Sequence, residues 1–338
     1  MPSVRLSVLD QSPIRSGGTA AQALAESIEL ASHVEKLGYS RFWVAEHHGS
    51  ASFAGCSPEI LLARIAAATQ NIRIGSGGVM LMHYSPYKVA ENFLLLETLY
   101  PGRLDLGVGR APGSDGLTAQ ALAYGSPIGV DYFLNKLQDL RAFVRGECPA
   151  TASFAQVRAT PRVAQLPEFW LLGSSAQSAL YAAELGLRYS VAHFLNPRES
   201  HELASLYRRH FQPSPECLQP CVNVGVFVLC APSDEEAAEL ALTRDVWRLG
   251  LERGEPGPIP SVDEAKAYVF DAEERALVQQ RRRHAICGTP LQIREKLLAL
   301  AEQHEADELV VISNCHDFAV RKQSYTLLAQ AFDLVPGR

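Results

Sequence analysis

Three kinds of feature are missing from this sequence of 338 residues. No apolar stretch reaches the roughly 18–20 uncharged residues that a membrane-spanning helix needs. Basic residues are not in excess, because 31 Lys and Arg stand against 37 Asp and Glu and give a net charge of −6, whereas a nucleic-acid surface normally shows a basic surplus. The N-terminus has no basic segment followed by an apolar one, so we expect no signal peptide. We therefore expect neither a membrane nor a nucleic acid as partner.

The motifs of several enzyme classes are also absent. The seven cysteines include no CxxC pair, and their odd number predicts reduced, mostly buried thiols in a cytoplasmic protein. No GxSxG nucleophile elbow and no Walker loop occurs, so the usual hydrolase and nucleotidase interpretations have no support. No cluster of metal-ligating residues is evident either, and we expect no metal.

The residues that are present describe a chain with a large core. Hydrophobic residues make up 47% and charged residues 20%, which is typical of a folded globular protein. Eight apolar segments with strand character alternate with segments of helical period, and this alternation predicts parallel strands joined by right-handed crossovers. The predicted strands cover residues 4–9, 41–46, 72–81, 103–109, 168–172, 189–193, 221–229 and 308–312.

Eight strand–helix units are the number that closes a barrel. The sequence therefore predicts the α/β class and one (β/α)8 TIM-barrel domain over residues 1–338, with an open doubly wound sheet as the competing fold. Insertions at about 113–165 and 252–285 interrupt the alternation, and in a barrel they are expected at the carboxyl ends of the strands. The first should carry a helix around residues 131–144. The second is rich in proline, glycine and charge, so we expect a lid with few core contacts.

Three consecutive ionisable residues, Glu46, His47 and His48, end the second predicted strand. Side chains alternate along a strand, which predicts that Glu46 and His48 share a side and that His47 takes the other. A lone histidine in such a place is more often a buried, satisfied core residue than a functional one. Three polar residues at the carboxyl end of a barrel strand favour an active site instead.

Glycines mark two other strand ends. Gly77 and Gly78 interrupt the third strand, which indicates either a bulge or the close approach of a ligand. The fourth strand ends in a segment that superficially matches a dinucleotide fingerprint, but Pro112 occupies the final glycine position, so we reject that interpretation. Arg110 in this segment is a candidate partner for an anion.

A glycine–serine turn follows the fifth strand and opens a helix. Gly173, Ser174 and Ser175 precede the predicted helix start, where free N–H groups and the helix dipole favour an anion such as phosphate. An ordinary serine N-cap explains the same residues equally well. From this segment alone both interpretations stay open.

Taken in order along the chain, these segments resemble the luciferase-like flavin monooxygenases, and the match extends over essentially the whole sequence. The similarity is greatest to a subgroup of single-chain oxidoreductases. The segments that carry it are LSVLDQSP at 6–13, FWVAEHH at 42–48, IGSGGVML at 74–81, YPGRLDLGVGRAPG at 100–113, LLGSS at 171–175 and GTP at 288–290.

The resemblance implies that FMN binds at the carboxyl end of the barrel and that reduced FMN and O2 oxygenate a small organic substrate. It places Glu46 and His47 beside the flavin ring as candidate catalytic residues. His47 would act as a general acid or base, with Glu46 holding its ring and raising its pKa. Arg110 would serve both catalysis and flavin binding.

The resemblance also implies the remaining cofactor contacts and the partners. Gly77 and Gly78 match a non-proline cis peptide under the flavin ring in such proteins. Gly173, Ser174, Ser175 and Ser178 match the phosphate turn. A separate flavin reductase and a homodimer are expected. The segment Met82-His83-Tyr84 departs from the family pattern, so the substrate cannot be carried over.

Two alternatives to an FMN monooxygenase remain. An F420-dependent oxidoreductase is built on the same barrel and carries the same kind of cis peptide. A non-catalytic flavin-binding protein on this fold is the other, although the presence of Glu46, His47 and Arg110 together argues against it.

Overall fold

Eight parallel strands form a closed barrel in the computed structural model, which describes residues 4–124, 132–282 and 285–336. Neighbouring strands pair in chain order, and the last pairs with both the first and the seventh, so no edge is left open. This confirms the predicted (β/α)8 TIM barrel. The barrel strands are β1 Arg5–Asp10, β2 Arg41–Val44, β3 Arg73–Ser76, β5 Leu104–Gly109, β6 Glu168–Gly173, β7 Arg188–Val191, β8 Val222–Cys230 and β10 Glu308–Ile312.

Eight helices cover the outside of the barrel. Most of the buried apolar side chains lie between these helices and the outer face of the sheet, while a smaller cluster that includes Leu9, Trp43 and Trp170 fills the interior. This arrangement explains why the strands are apolar on both faces. The covering helices are α1 Ala20–Leu37, α2 Pro58–Ala68, α3 Pro86–Leu99, α5 Phe133–Arg145, α6 Ala176–Glu184, α7 Ser200–His210, α11 Pro290–Gln303 and α12 Phe318–Ala331.

Charged side chains close the amino-terminal end of the barrel. Arg41 lies 2.9 Å from a carboxylate oxygen of Asp105, 2.9 Å from one of Glu168 and 3.0 Å from one of Glu308. Its side chain is only 5% exposed, so these contacts compensate for the cost of burying it. The interior is thus filled by side chains at this end.

The third predicted strand is divided in two. Strand β3 ends at Ser76 and a short strand β4, Val79–Met80, resumes beyond Gly77 and Gly78, whose peptide bond is cis as the resemblance implied. Both pieces pair with β5. A Cβ atom at Gly107 of β5 would overlap the carbonyl oxygen of Ser76, so only glycine allows the two strands to approach this closely.

The first insertion carries more helix than we expected. Helix α5 confirms the helix predicted around residues 131–144, although residue 131 lies outside the described residues. Helix α4, Gly116–Ala123, was missed. Asp115 caps it by accepting hydrogen bonds from the N–H groups of Leu117 and Thr118, at 2.9 and 3.0 Å. An N-cap residue of this kind is a signal that the sequence offered.

The second insertion is folded, and our expectation of few core contacts there was wrong. Helix α8, Asp234–Glu252, leads into it, and it contains α9, Val262–Ala267, and α10, Ala272–Arg282. Ile259 is 1% exposed and packs in one cluster with Phe53 and Trp247. A strand after it, β9 Ile286–Gly288, extends the sheet beside β8.

Two further findings concern cysteines and membranes. All seven cysteines are free. Cys217, Cys230 and Cys315 are buried and Cys56 and Cys148 are exposed, so the thiols are less uniformly buried than predicted. Within the described residues, no helix combines the length and apolar character needed to cross a membrane.

Candidate active site

A large cavity opens at the carboxyl ends of the barrel strands. Its volume is about 1230 Å³, which exceeds the roughly 300–1,000 Å³ of a typical ligand pocket and leaves room for a cofactor together with a substrate. All nine of the site residues predicted from the sequence line it. They are Glu46, His47, Gly77, Gly78, Arg110, Gly173, Ser174, Ser175 and Ser178.

Glu46 is the centre of a hydrogen-bond network on one side of this cavity. Its side chain is buried, and its Oε1 atom accepts hydrogen bonds from the Tyr84 hydroxyl and from Nε2 of His48, both at 2.7 Å. Its Oε2 atom accepts a third from the backbone N–H of Met80, at 3.0 Å. Glu46 and His48 therefore share a side, as the alternation of the strand predicted. The expected pairing of Glu46 with His47 is wrong.

His47 points to the other side and has a different environment. Its Nδ1 atom is buried and finds no hydrogen-bond partner in the described part of the chain. The ring lies against Phe53, with 4.4 Å between ring centroids. Burial, with a smaller contribution from the nearby His48, lowers the pKa of His47 to about 4. The predicted rise of this pKa is thus wrong, because no carboxylate of the described residues contributes to offset the desolvation of the ring.

Tyr84 is a site residue that the sequence indicated only as part of a divergent segment. Burial and the charge of Glu46 raise its pKa well above the ordinary value, so the hydroxyl stays protonated and donates to the carboxylate. In the same segment Met82 lines the cavity. His83 instead makes a 2.7 Å contact between its Nε2 atom and the Pro112 carbonyl.

The glycine–serine turn forms a second polar region of the cavity. Ser175 is the N-cap of α6, and its Oγ accepts from the N–H of Ser178, at 3.4 Å. The first two N–H groups of the helix, those of Ala176 and Gln177, have no acceptor within it. A Cβ atom at Gly173 would overlap the Ser178 side chain, so glycine is required for this turn to form.

Arg110 belongs to this second region. It follows β5, and its Nη2 atom lies 3.4 Å from Ser175 Oγ while Nη1 contacts the side-chain oxygen of Gln177. No carboxylate pairs with it in the described ranges. A guanidinium beside a helix N-terminus is a favourable arrangement for binding an anion, especially phosphate.

The surface between the two polar regions is mostly apolar. Leu9, Trp43 and Leu172 contribute to it, and Gly77 and Gly78 present backbone without side chains. The cavity thus combines an anion site, an apolar surface that is partly free of side chains, and the unpartnered Nδ1 atom of His47. These features together fit a phosphorylated aromatic cofactor. Over residues 4–124, 132–282 and 285–336, no group of three His, Cys, Asp or Glu side chains is arranged to hold a metal ion.

Comparison with known sequences gives a family for this architecture. A family model described as luciferase-like monooxygenase matches residues 4–307. Uncharacterized protein YceB of Bacillus subtilis is 42% identical over 97% of this chain and 99% of its own length. N-acetyl-S-alkylcysteine monooxygenase of the same organism is 38% identical over 97% of this chain and 98% of its own.

Solved structures agree with this assignment. Apo-MsnO8 has 39% identity and a TM-score of 0.88, covering 99% of this chain and 100% of its own. Two more distant structures share the fold. One is the oxygenating constituent of 3,6-diketocamphane monooxygenase from Pseudomonas putida in complex with FMN. It has 18% identity and a TM-score of 0.70, and the match covers 99% of this chain and 98% of its own. The other is an F420-dependent secondary alcohol dehydrogenase with an F420–acetone adduct. It has 15% identity and a TM-score of 0.68, and the match covers 98% of this chain and 99% of its own.

Proposed function

The chain belongs to the luciferase-like monooxygenase family and is an enzyme of the oxidoreductase class, and we propose that it is an FMN-dependent monooxygenase. It uses reduced flavin and O2 to oxygenate a small organic substrate. The observation that carries the choice of FMN is the anion site made by Arg110, Ser175 and the start of α6 on the wall of a cavity with an apolar interior. Such a site suits the terminal phosphate of FMN.

The proposed cofactor contacts follow from the cavity lining. Gly173, Ser174, Ser175 and Ser178 hold the phosphate together with Arg110, and Gly77 and Gly78 offer a surface without side chains to the ring. FMN, when bound, supplies the redox chemistry that activates O2. No metal takes part, and we expect chelators to leave activity unchanged.

The proposed catalytic residues are His47, Glu46 and Arg110. With a pKa of about 4, His47 is neutral near neutral pH, so one of its ring nitrogens acts as a proton or hydrogen-bond acceptor rather than as a proton reservoir. Glu46 does not hold His47 but holds His48 on the wall of the cavity and accepts a hydrogen bond from Tyr84 behind it. Arg110 places positive charge at the phosphate end.

Calorimetric titration of the purified protein with FMN, riboflavin and F420 tests the cofactor. We expect FMN to bind at least about tenfold more tightly than riboflavin, because charge-assisted hydrogen bonds to the phosphate contribute about 1.5–3 kcal/mol each. Arg110→Met should reduce this preference, and Arg64→Met, an exposed change on α2, should not. Equal affinity for the two flavins would contradict the phosphate site, and tighter binding of F420 would favour a deazaflavin enzyme.

We propose one barrel domain over residues 1–338, a homodimer, a cytoplasmic location and a separate flavin reductase as electron source. Light scattering after size exclusion measures the oligomeric state. Oxygen uptake with reduced FMN, with and without an added reductase, distinguishes an enzyme from a protein that only stores flavin.

A further inference from the structure

A smaller pocket of about 200 Å³ borders the main cavity and is lined by four arginines. We refer to Arg198, Arg244, Arg248 and Arg281, with the space between them, as the arginine pocket. They come from the loop before α7, from α8 and from α10. No Asp or Glu is among the described residues that line the pocket.

Few carboxylates offset this charge. Asp245, the buried neighbour of Arg244, lies 3.6 Å from its Nη2 atom but accepts a closer hydrogen bond, at 2.6 Å, from Arg282 outside the pocket. The negative charge of Asp245 is therefore shared between two guanidinium groups.

Glu252 is the second carboxylate near the pocket. It lies 3.7 Å from Nε of Arg248 and also contacts Arg281, and it is 43% exposed. Among the described side chains, two carboxylates thus face five arginines when Arg282 is included, which leaves a surplus of positive charge in the pocket.

Two of the pocket arginines have buried donors without partners. Nε of Arg244 and Nη1 of Arg281 have no hydrogen-bond acceptor in the described residues, and Arg244 is only 8% exposed. Burial lowers the pKa of Arg244, Arg248 and Arg281. Unsatisfied buried donors on a charged group are rare in folded proteins and need a compensating acceptor.

The arginine pocket is continuous with the proposed site of oxygenation. Phe194, Phe227 and Arg248 line both it and the main cavity. The two phenylalanine rings meet edge to face, with 5.4 Å between centroids. An organic molecule can therefore place an anionic group among the arginines and an apolar portion over these rings, in the cavity that His47 also lines.

We infer that the arginine pocket binds a carboxylate of the organic substrate and so selects anionic substrates for oxygenation. The inference rests on the proposed function, since it assigns the substrate class of the same site. It requires an anion separate from the flavin phosphate, because Arg110 and Ser175 belong to another part of the wall. A carboxylate matches the fork of a guanidinium and supplies the acceptors that Arg244 and Arg281 lack.

Binding of matched probes tests this inference. N-acetyl-S-benzylcysteine carries a carboxylate and an apolar group, and its carboxamide is the same molecule without the charge. Calorimetry on the FMN-loaded protein should show the acid binding at least about tenfold more tightly than the amide. In Arg248→Met and Arg281→Met the ratio should fall close to one.

Controls separate this inference from the proposed function. Arg275→Met removes an exposed arginine from the same helix, α10, and should keep the ratio. The preference for FMN over riboflavin, measured on the same variants, should be unchanged in Arg248→Met and Arg281→Met. If wild-type protein fails to bind FMN, the proposed function fails, while the probe ratio is still readable on the protein without flavin.

Several outcomes would overturn the inference. These are equal affinity of acid and amide for wild-type protein, absence of saturable binding of the acid at millimolar concentration, and a ratio that survives both arginine substitutions. Loss of the ratio in Arg110→Met alone would place the carboxylate at the phosphate end instead. Inorganic phosphate that binds more tightly than the acid, with the same dependence on Arg248 and Arg281, would show a site for a free anion rather than for substrate.

Discussion

The two ends of the barrel treat arginine in opposite ways. At the amino-terminal end Arg41 meets three carboxylates and is satisfied by the protein itself. At the carboxyl end, among the described residues, Arg110 contacts a hydroxyl and an amide, and Arg281 keeps a buried donor without an acceptor. The arginine that stabilises the fold is thus paired with carboxylates of the protein, whereas the arginines available to a ligand are incompletely paired. How completely an arginine is paired therefore indicates the functional end of the barrel better than a count of charged residues does.

The largest loss of stability should follow from removing Arg41 at the amino-terminal end of the barrel. Arg41→Met leaves the buried carboxylates of Asp105 and Glu308 without their shared partner, and removal of one member of such a group typically costs about 3–5 kcal/mol. Chemical denaturation should show this loss. Arg110→Met is the matched change at the open end, and its effect on the free energy of unfolding should be small. Similar losses in both variants would contradict the comparison.

The next effect concerns His47 and pH. Its pKa in the folded protein is about 4 against about 6.5 when unfolded, so acid protonates the unfolded chain first. Stability from this group is complete above pH 6.5 and is lost as the pH falls from there towards 4, by on the order of 3 kcal/mol. Denaturation at several pH values should show a flatter profile for His47→Gln. His48→Gln, whose ring bonds Glu46, is the control.

The barrel could be predicted from the sequence because the signal for it is local and is repeated in each strand–helix unit. Each strand and helix has its own hydrophobic period, and chain order then determines the pairing. The division of the third strand into β3 and β4 could not be predicted. The sequence shows only two glycines there, Gly77 and Gly78, and no pattern of side chains indicates that one strand becomes two. The second insertion has the composition of a segment with few core contacts. Ile259, which stands between two prolines, nevertheless packs with Phe53 and Trp247, and Ala265 and Val278 are buried as well.

The nine site residues named from the sequence all line the cavity, but their contacts were less predictable. Strand alternation correctly placed Glu46 beside His48, while adjacency in the sequence wrongly suggested that Glu46 holds His47. The arginine pocket could not be recognised as a sequence motif, because its residues come from separate helices and a loop. Only the tertiary structure shows that Arg248 of α8 and Arg281 of α10 line one space.

His47→Ala should affect the reaction more than the cofactor. We expect substrate oxygenation to fall by at least about two orders of magnitude, as is typical when a general acid or base is lost. FMN affinity should stay nearly unchanged, because the phosphate contacts lie elsewhere on the wall. Oxygen should still be consumed and appear as hydrogen peroxide, which a peroxidase-coupled assay detects. Normal coupling in this variant would make His47 a buried structural residue.

The smallest effect should come from Tyr84→Phe, which removes one donor from a carboxylate that keeps two others. Glu46 retains His48 and the backbone N–H of Met80, so the loss of this charge-assisted hydrogen bond should cost about 1.5 kcal/mol, the low end for such bonds. Chemical denaturation measures the change. Tyr87→Phe is the matched control, because it removes an exposed hydroxyl from a half-buried tyrosine on α3. A loss of stability as large as that of Arg41→Met would contradict this expectation. It would mean that the hydrogen bonds of Glu46 cannot compensate for one another, as at the amino-terminal end of the barrel.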